Sequence, residues 1–251
     1  MPTMPLLPVL SPSGRLIDLA RREIVLLAAV LIAAATLLLF LEVAESVQEG
    51  ETHAIDRALM LALRDPADPA VPLGPSWLHE VGRDITALGG NAVLTLVTAG
   101  STLYLLLVRK RAAAVLLLVS VLGGMLLSTT LKLGFDRPRP DLVPHGMEVF
   151  TASFPSGHAL LSAVTYLTLG TLLARLQPRR RLKAFFLGVA VLIAGMVGVS
   201  RVYLGVHWPS DVLAGWCIGA AWAMLCWTVA LLLQRRGTVE PTPATLPDDS
   251  P

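Results

Sequence analysis

Residues Ala112–Thr130 read AAAVLLLVSVLGGMLLSTT, a run of nineteen residues without a charged side chain. As a helix, about 20 mostly apolar residues cross the roughly 30 Å hydrocarbon core of a bilayer. Unpaired backbone groups are costly in lipid, so a helix is the expected structure of such a run. Five further stretches have the same character: Ile24–Leu41, Gly89–Val108, Ala159–Ala174, Ala184–Ser200 and Val212–Leu233. The sequence therefore predicts an all-α fold, a polytopic membrane bundle of six transmembrane helices.

The composition agrees with a membrane protein. Of 251 residues, 54% are hydrophobic and 15% are charged, whereas a soluble domain carries about 25% charged residues. These values exclude a disordered chain, and the net charge of +2 gives no sign of nucleic-acid binding. Cys217 and Cys226 lie nine residues apart on one predicted helix, on opposite faces and about 13 Å apart, which excludes a disulfide framework.

The distribution of Lys and Arg predicts the orientation in the membrane, because these residues concentrate in cytoplasmic segments. Thirteen of the 20 basic residues lie before the first helix, between the second and third, between the fourth and fifth, and after the sixth. This alternation places both termini in the cytoplasm. The other seven fall in the outward connections, where few are expected, and they are the first indication of a site: Arg57, Arg64, Arg83, Lys132, Arg137, Arg139 and Arg201.

The sequence divides into a cytoplasmic segment (1–23), a membrane domain (24–234) and a Pro-rich polar tail (235–251) that is expected to be disordered. A signal-peptide core is the alternative for the first stretch, but eighteen residues favour a retained anchor. The outward connection 42–88 is long, acidic and proline-rich. Within it, Ala54–Arg64 has helical spacing of apolar residues, and it either lies flat in the membrane interface or packs on the bundle as a connector.

Three polar clusters lie in the second and third outward connections. Lys132–Pro140 (KLGFDRPRP) follows the third helix, and Pro155–His158 (PSGH) precedes the fourth. Ser200-Arg201, His207 and Asp211 bridge the fifth and sixth helices. With both termini in the cytoplasm, all three clusters are predicted at the outer face of the membrane.

These clusters contain the groups that bind phosphate. The cations Lys132, Arg139 and Arg201 would repel one another unless an anion joined them, and guanidinium groups match phosphate oxygens bidentately. Ser156 and Gly157 are predicted at the N-terminus of a helix, where free N–H groups and the helix dipole favour an anion. The sequence therefore predicts a phosphate site.

Two histidines provide a candidate nucleophile and a candidate general acid at this site. His207 and Asp211 are four residues apart, so they share a face if a helical turn forms. A carboxylate bonded to one ring nitrogen leaves the other nitrogen as a nucleophile, and His158 is then available as a general acid. Pro209 suits the first turn of the sixth helix.

In order and spacing, the clusters resemble the type 2 phosphatidic acid phosphatase (PAP2) superfamily, whose pattern is K-x6-RP, PSGH and SR-x5-H-x3-D. The resemblance implies metal-independent, cofactor-free phosphate ester or anhydride hydrolysis through a phosphohistidine on His207. It implies that Asp211 orients His207 and that His158 protonates the departing oxygen and then activates water. The phosphoryl oxygens would be held by Lys132, Arg139, Ser156, Gly157 and Arg201.

Other residues receive simpler interpretations. Arg137 lies outside the pattern and is taken as a rim charge, with Asp136 and Asp141 as candidate partners of the arginines. No role is assigned to His53, His79 and His145. The small-xxx-small pattern Gly215–Gly219 favours packing within the bundle, with dimerisation as the alternative. Interface anchoring or packing is expected of four tryptophans: Trp208, Trp216, Trp222 and Trp227.

The expected substrate is a lipid phosphate or diphosphate whose tail stays in the bilayer. Undecaprenyl diphosphate leads on the family's common roles, followed by phosphatidate, phosphatidylglycerophosphate and a lipid A phosphate. The alternatives are a lipid phosphotransferase and a non-enzymatic lipid-phosphate binding or transport protein. Vanadium-dependent haloperoxidases carry the same residue set, but they are soluble and larger. The predicted partners are the lipid substrate and membrane lipids, without nucleic acid; the oligomeric state stays open.

Overall fold

The regular structure of the protein is helical. A computed structural model describes residues 12–141 and 152–235, and within these ranges it contains eight helices and no strand element. The predicted all-α fold is therefore confirmed. The helices are α1 (Pro12–Gln48), α2 (His53–Leu61), α3 (Ser76–Ala87), α4 (Asn91–Leu107), α5 (Arg111–Gly134), α6 (Gly157–Arg175), α7 (Arg180–Tyr203) and α8 (Pro209–Arg235).

The predicted spans correspond to α1 and α4–α8. Five helices are each long and apolar enough to cross a membrane: α1, α5, α6, α7 and α8. A sixth span is obtained when α3 and α4, which are bent by 47° at a short break, are taken as one. The helix α8 begins at Pro209, as predicted from the restricted φ of proline.

The outer surface of these helices is apolar. Leu38, Leu126 and Leu133 are 67%, 69% and 85% exposed. Soluble monomers rarely expose apolar patches of more than a few hundred Å², so this surface is suited to lipid.

Helices α6 and α8 form the centre of the bundle. The helix α8 packs against α1 and α6, and α6 also packs against α5 and α7. Close approach of α6 and α8 depends on two glycines, because a Cβ at Gly215 would lie 2.6 Å from the Ser156 carbonyl oxygen and one at Gly219 would lie 2.7 Å from that of Leu160. The small-xxx-small pattern is therefore used for packing within the bundle.

Tryptophans of α8 also pack inside the bundle. The indole N–H of Trp216 donates to the Ala194 carbonyl, and that of Trp222 donates to the Ser120 carbonyl. The ring of Trp227 faces the Arg175 guanidinium, 4.7 Å from the ring centroid. These contacts favour packing over interface anchoring.

The outward connection 42–88 is more ordered than predicted. Residues 42–48 continue α1, and α2 and α3 occupy much of the remainder. The helix α2 packs against α8 with Asp56 and Met60 buried, so the connector interpretation of Ala54–Arg64 is confirmed. Composition identifies runs of apolar residues, but it does not detect short helices whose stability depends on packing.

Two hydrogen bonds attach this connection to the end of α7. Arg64 Nη2 donates to the Tyr203 carbonyl at 2.7 Å, and the Tyr203 hydroxyl donates to the Leu73 carbonyl at 3.1 Å. At the other end of the bundle, α1 begins at Pro12 rather than near residue 24. The predictions for residues 1–11 and 236–251, and for His145, lie outside the described residues.

We expect Gly219→Ala to lower the thermal stability of the detergent-purified protein, because its Cβ would meet the α6 backbone and overpacking costs about 1–3 kcal/mol. The matched control is Gly195→Ala on α7, where a Cβ meets nothing within 4 Å. A thermal melt of both variants checks this. Equal melting temperatures would contradict the assigned packing of α6 on α8.

Candidate active site

The three sequence clusters meet at one end of the bundle. Lys132 lies in the last turn of α5, Arg201 in the last turn of α7 and Asp211 in the first turn of α8. Ser156 occupies the N-cap position of α6 without a side-chain capping bond, and Gly157 is the first residue of the helix. The helix boundaries thus place every predicted site residue at a helix end or in an adjoining connection.

Hydrogen bonds join the clusters directly. The backbone N–H of Ser156 donates to the Asp211 carbonyl at 3.0 Å. Arg139 Nη1 donates to the Val206 carbonyl at 2.8 Å, and Lys132 Nζ donates to the Ala152 carbonyl at 2.7 Å. The acceptor in each of these bonds is a backbone carbonyl, so the main chain and two basic side chains together fix the relative positions of the three motifs.

The contacts of His207 define its tautomer. Nδ1 lies 3.4 Å from Asp211 Oδ2, and Nε2 lies 3.3 Å from Arg139 Nη1. A guanidinium can only donate and a carboxylate can only accept, so Nδ1 carries the proton and Nε2 carries the lone pair. The imidazole thus presents an unprotonated nitrogen toward Arg139.

Asp211 is fully buried and accepts several hydrogen bonds. Its Oδ2 accepts from Ser153 Oγ at 2.5 Å and from the Trp208 N–H at 3.0 Å, and its Oδ1 accepts from Arg137 Nη1 at 2.6 Å. A carboxylate held this way has one fixed orientation toward the His207 ring. Sequence reasoning missed Ser153, which lies just before the PSGH motif and has no signal of its own.

Unpaired donors point to an anion site. Ser156 Oγ and Arg201 Nε are buried, and neither has a hydrogen-bond partner within the described ranges. Leaving buried donors unsatisfied costs about 1–3 kcal/mol each, which a bound oxyanion would offset. The charges of Lys132, Arg139 and Arg201 all lie close enough to act on His158, so the predicted cations share one region with the second histidine.

Gly157 and the bend between α3 and α4 shape the same region. A Cβ at Gly157 would lie 3.7 Å from the Lys132 Cε atom, and one at Gly89 would lie 3.2 Å from the His158 carbonyl oxygen. Arg201 Nη1 donates to Thr86 Oγ1 near the end of α3 at 3.1 Å. The outward connection therefore contributes to positioning Arg201.

Burial determines the protonation state of His207. It lowers the pKa of His207 to about 4, although the hydrogen bond and charge of Asp211 act in the opposite direction, and the cations Arg139 and Arg201 lower it further. The imidazole is consequently neutral at neutral pH. Burial also lowers the pKa of Arg139, partly offset by Asp211.

The prediction for Arg137 was wrong. Its side chain is 12% exposed and pairs with Asp56 and Asp211, so it is an interior charge rather than a rim charge. These carboxylates, rather than the predicted Asp136 and Asp141, are its ion-pair partners. The position of Arg137 among the cations of the outward connections was a sequence signal for a functional role. Asp56 had no comparable signal, because it is a single carboxylate in a largely apolar helix.

Two other histidines in the described ranges, His53 and His79, take no part in the contacts that join the three motifs. His53 packs edge-on against Trp208, with ring centroids 5.5 Å apart, and His79 lies in α3. Within the described ranges, no group of three or more His, Cys, Asp or Glu side chains is arranged to hold a metal ion.

Comparison with known proteins identifies the family. The family model of the PAP2 superfamily matches residues 113–235. The chain is 34% identical over 188 residues to phosphatidylglycerophosphatase B of Bacillus subtilis (strain 168), covering 72% of this chain and 86% of that protein. The chain belongs to the PAP2 superfamily. The prediction of a PAP2-type membrane enzyme is thereby confirmed.

Two further similar proteins extend the comparison. The crystal structure of a transmembrane PAP2 type phosphatidylglycerolphosphate phosphatase from Bacillus subtilis superposes with a TM-score of 0.71 at 30% identity, covering 81% of this chain and 98% of that chain. An undecaprenyl-diphosphatase of Sulfolobus acidocaldarius is 46% identical over 68 residues, which cover 27% of this chain and 29% of that protein. With its five or six apolar spans, this chain is an integral membrane protein of the PAP2 superfamily.

We expect the His207 imidazole to remain neutral well below the ordinary histidine pKa of about 6.5. A ¹⁵N-histidine NMR titration in detergent checks this, with the resonance assigned by its loss in His207→Gln. Its midpoint should fall near pH 4, as the lowered pKa requires. A midpoint near 6.5 would contradict the buried, neutral state.

Proposed function

We propose that this PAP2 protein hydrolyses a lipid phosphate through a phosphohistidine on His207. The observation that carries the proposal is the imidazole itself. Its Nδ1 proton faces Asp211, and its Nε2 lone pair faces Arg139 at the edge of a cluster of cations. Such an imidazole is a neutral nucleophile aimed at the place where an anionic phosphoryl group is stabilised.

In the first step, His207 Nε2 attacks the phosphorus as the bond to the leaving oxygen breaks. His158 donates a proton to that oxygen, so that a lipid alcohol or lipid monophosphate departs. The ring of His207 becomes positively charged, and the buried carboxylate of Asp211 offsets this charge through the Nδ1 proton.

In the second step, water attacks the phosphorus of the phosphohistidine. His158, now deprotonated, accepts a proton from that water, and the P–N bond breaks. Inorganic phosphate leaves, the bonding electrons return to Nε2, and both histidines regain their starting protonation states.

The phosphate-binding groups carry the charge that develops on the phosphoryl oxygens. Lys132, Arg139 and Arg201 supply cations, and the free N–H groups of the first turn of α6 supply dipoles. Arg139 Nη1 lies 3.3 Å from His207 Nε2 and donates to it. We infer that its guanidinium transfers to a phosphoryl oxygen on binding, which frees the nucleophile.

Phosphatidylglycerophosphate is the first substrate that we propose. The relative named phosphatidylglycerophosphatase B is matched over 86% of its length, and the superposed crystal structure is that of a phosphatidylglycerolphosphate phosphatase. Undecaprenyl diphosphate, the lead candidate from sequence, is the second, since a shorter segment matches an undecaprenyl-diphosphatase at 46% identity.

We further propose that both termini are cytoplasmic and that the site faces the outer side of the membrane. The alternating placement of 13 of the 20 basic residues supports this orientation. A headgroup would then enter from the outer leaflet while its acyl or prenyl tails stay in lipid.

We expect His207→Gln to lower phosphate release by at least about 1,000-fold, because no other group replaces the nucleophile. Detergent-purified protein is assayed on phosphatidylglycerophosphate, undecaprenyl diphosphate and phosphatidate. The matched control His79→Gln, on α3, should keep wild-type turnover. Turnover retained in His207→Gln would contradict the proposal, and transfer of phosphate to a second lipid without release would indicate a phosphotransferase.

We expect EDTA to leave turnover unchanged, because basic side chains rather than carboxylates surround the proposed phosphate site. Phosphate release is measured after exhaustive dialysis against EDTA, with and without added Mg²⁺. Loss of activity that Mg²⁺ restores would contradict the histidine mechanism as proposed.

A further inference from the structure

We propose that Asp56 and Arg137 act together as positioning residues for Asp211 and, through it, for His207. The pair would make the outer helix α2 part of the catalytic apparatus, although α2 lies outside all three sequence motifs. This inference rests on the proposed function, since it assigns the residues that orient the nucleophile of that reaction.

Arg137 bridges two buried carboxylates. Its Nη1 donates to Asp211 Oδ1 at 2.6 Å, and its Nη2 donates to Asp56 Oδ2 at 2.7 Å. Ser210 Oγ accepts from Nη1 at 2.7 Å, and Thr52 Oγ1 accepts from Nη2 at 3.2 Å. The rigid fork of the guanidinium therefore sets the distance between the carboxylates.

Asp56 is fixed as firmly as Asp211. It is 2% exposed, and its Oδ1 accepts the backbone N–H of Ser210 in the first turn of α8 at 2.9 Å. Its Oδ2 also accepts from the Ser210 hydroxyl at 2.5 Å. A carboxylate at a helix N-terminus is further stabilised by the helix dipole, so Asp56 has one defined position from which to hold Arg137.

The charges alternate along this chain of contacts. Asp56 is negative, Arg137 positive and Asp211 negative, and the His207 ring becomes positive when it is phosphorylated. Arg137 occupies Oδ1 of Asp211, which leaves Oδ2 to face the Nδ1 proton of His207. Because Arg137 pairs with Asp56 as well as with Asp211, it neutralises Asp211 only in part. Asp211 therefore keeps negative charge with which to stabilise the phosphohistidine.

Without Arg137, the buried carboxylates of Asp56 and Asp211 would have no cation between them. Neighbouring like charges oppose each other, so the uncompensated charge of Asp56 would disfavour the ionised form of Asp211. A proton on Asp211 would remove the acceptor for His207 Nδ1–H. Arg137 thus preserves the tautomer that leaves the lone pair on Nε2.

The location of the pair predicts which kinetic constant changes. Arg137 contacts Asp211 on the oxygen that does not face His207, whereas Arg139 contacts the ring at Nε2, away from Asp211. A variant of Arg137 or Asp56 should therefore slow phosphohistidine formation and lower kcat while KM stays within about twofold.

The experiment compares Asp56→Asn, Arg137→Gln and the double variant in single-turnover and steady-state assays. Groups that orient a functional side chain contribute about 10- to 100-fold. We expect Arg137→Gln to lose about 100-fold in kcat and Asp56→Asn about 10-fold. The double variant should be about 10-fold faster than Arg137→Gln, because removing the Asp56 charge relieves the repulsion on Asp211.

The higher kcat of the double variant distinguishes a positioning role from a purely structural one. Arg64→Gln is a matched buried arginine control, since Arg64 also ties the outer connection to the bundle but bonds to the Tyr203 carbonyl. It should lower the melting temperature without being rescued by Asp56→Asn. Arg57→Gln, exposed on the same α2, should keep wild-type kcat and stability.

Three results would overturn the inference: a double variant no faster than Arg137→Gln, a loss confined to KM, or wild-type kcat in Asp56→Asn. If Arg137→Gln does not fold, the kcat of Asp56→Asn decides, with its melting temperature measured beside it. Failure of the proposed function is distinguishable, because His207→Gln would then keep its turnover. With His207 essential and no rescue, the function stands and the positioning role is wrong.

Discussion

The arrangement of the site depends on one buried carboxylate, that of Asp211. Its side chain accepts from Arg137, Ser153, the Trp208 backbone and His207, and its carbonyl accepts from Ser156. These contacts connect all three sequence motifs to the start of α8. A buried negative charge costs several kcal/mol unless it is fully paired, so the fold and the site stabilise each other through this residue.

The second constraint is the concentration of positive charge. Lys132, Arg139 and Arg201 lie near one another at the bundle end, and buried Ser156 Oγ and Arg201 Nε have no protein partner in the described ranges. Such an arrangement is unfavourable without an oxyanion. In the proposed reaction, a phosphoryl group at this site would offset that cost on binding and in the transition state.

Most of the fold and the candidate site residues could be predicted from the sequence, because each is marked by a local sequence pattern. Apolar runs predict spans, and fixed spacings bring Lys132, Arg139, His158, Arg201, His207 and Asp211 into three motifs. Asp56 and Ser153 have no such signature, since their importance arises from contacts made across 154 and 58 residues of chain. Arg137 was misassigned for the same reason: its partner Asp56 lies 81 residues away on a helix whose packing the sequence pattern does not reveal.

The central claim is that His207 carries the phosphoryl group during turnover. The most direct measurement is to incubate a ³²P-labelled lipid phosphate with the His158→Gln variant, in which both formation and hydrolysis of the phosphohistidine should be slow, then quench in base and map the labelled peptide. The account predicts an acid-labile, base-stable phosphoryl group on the peptide that contains His207, absent in a His207→Gln/His158→Gln double variant. A label on another residue, or turnover without any phosphoryl-enzyme, would contradict it.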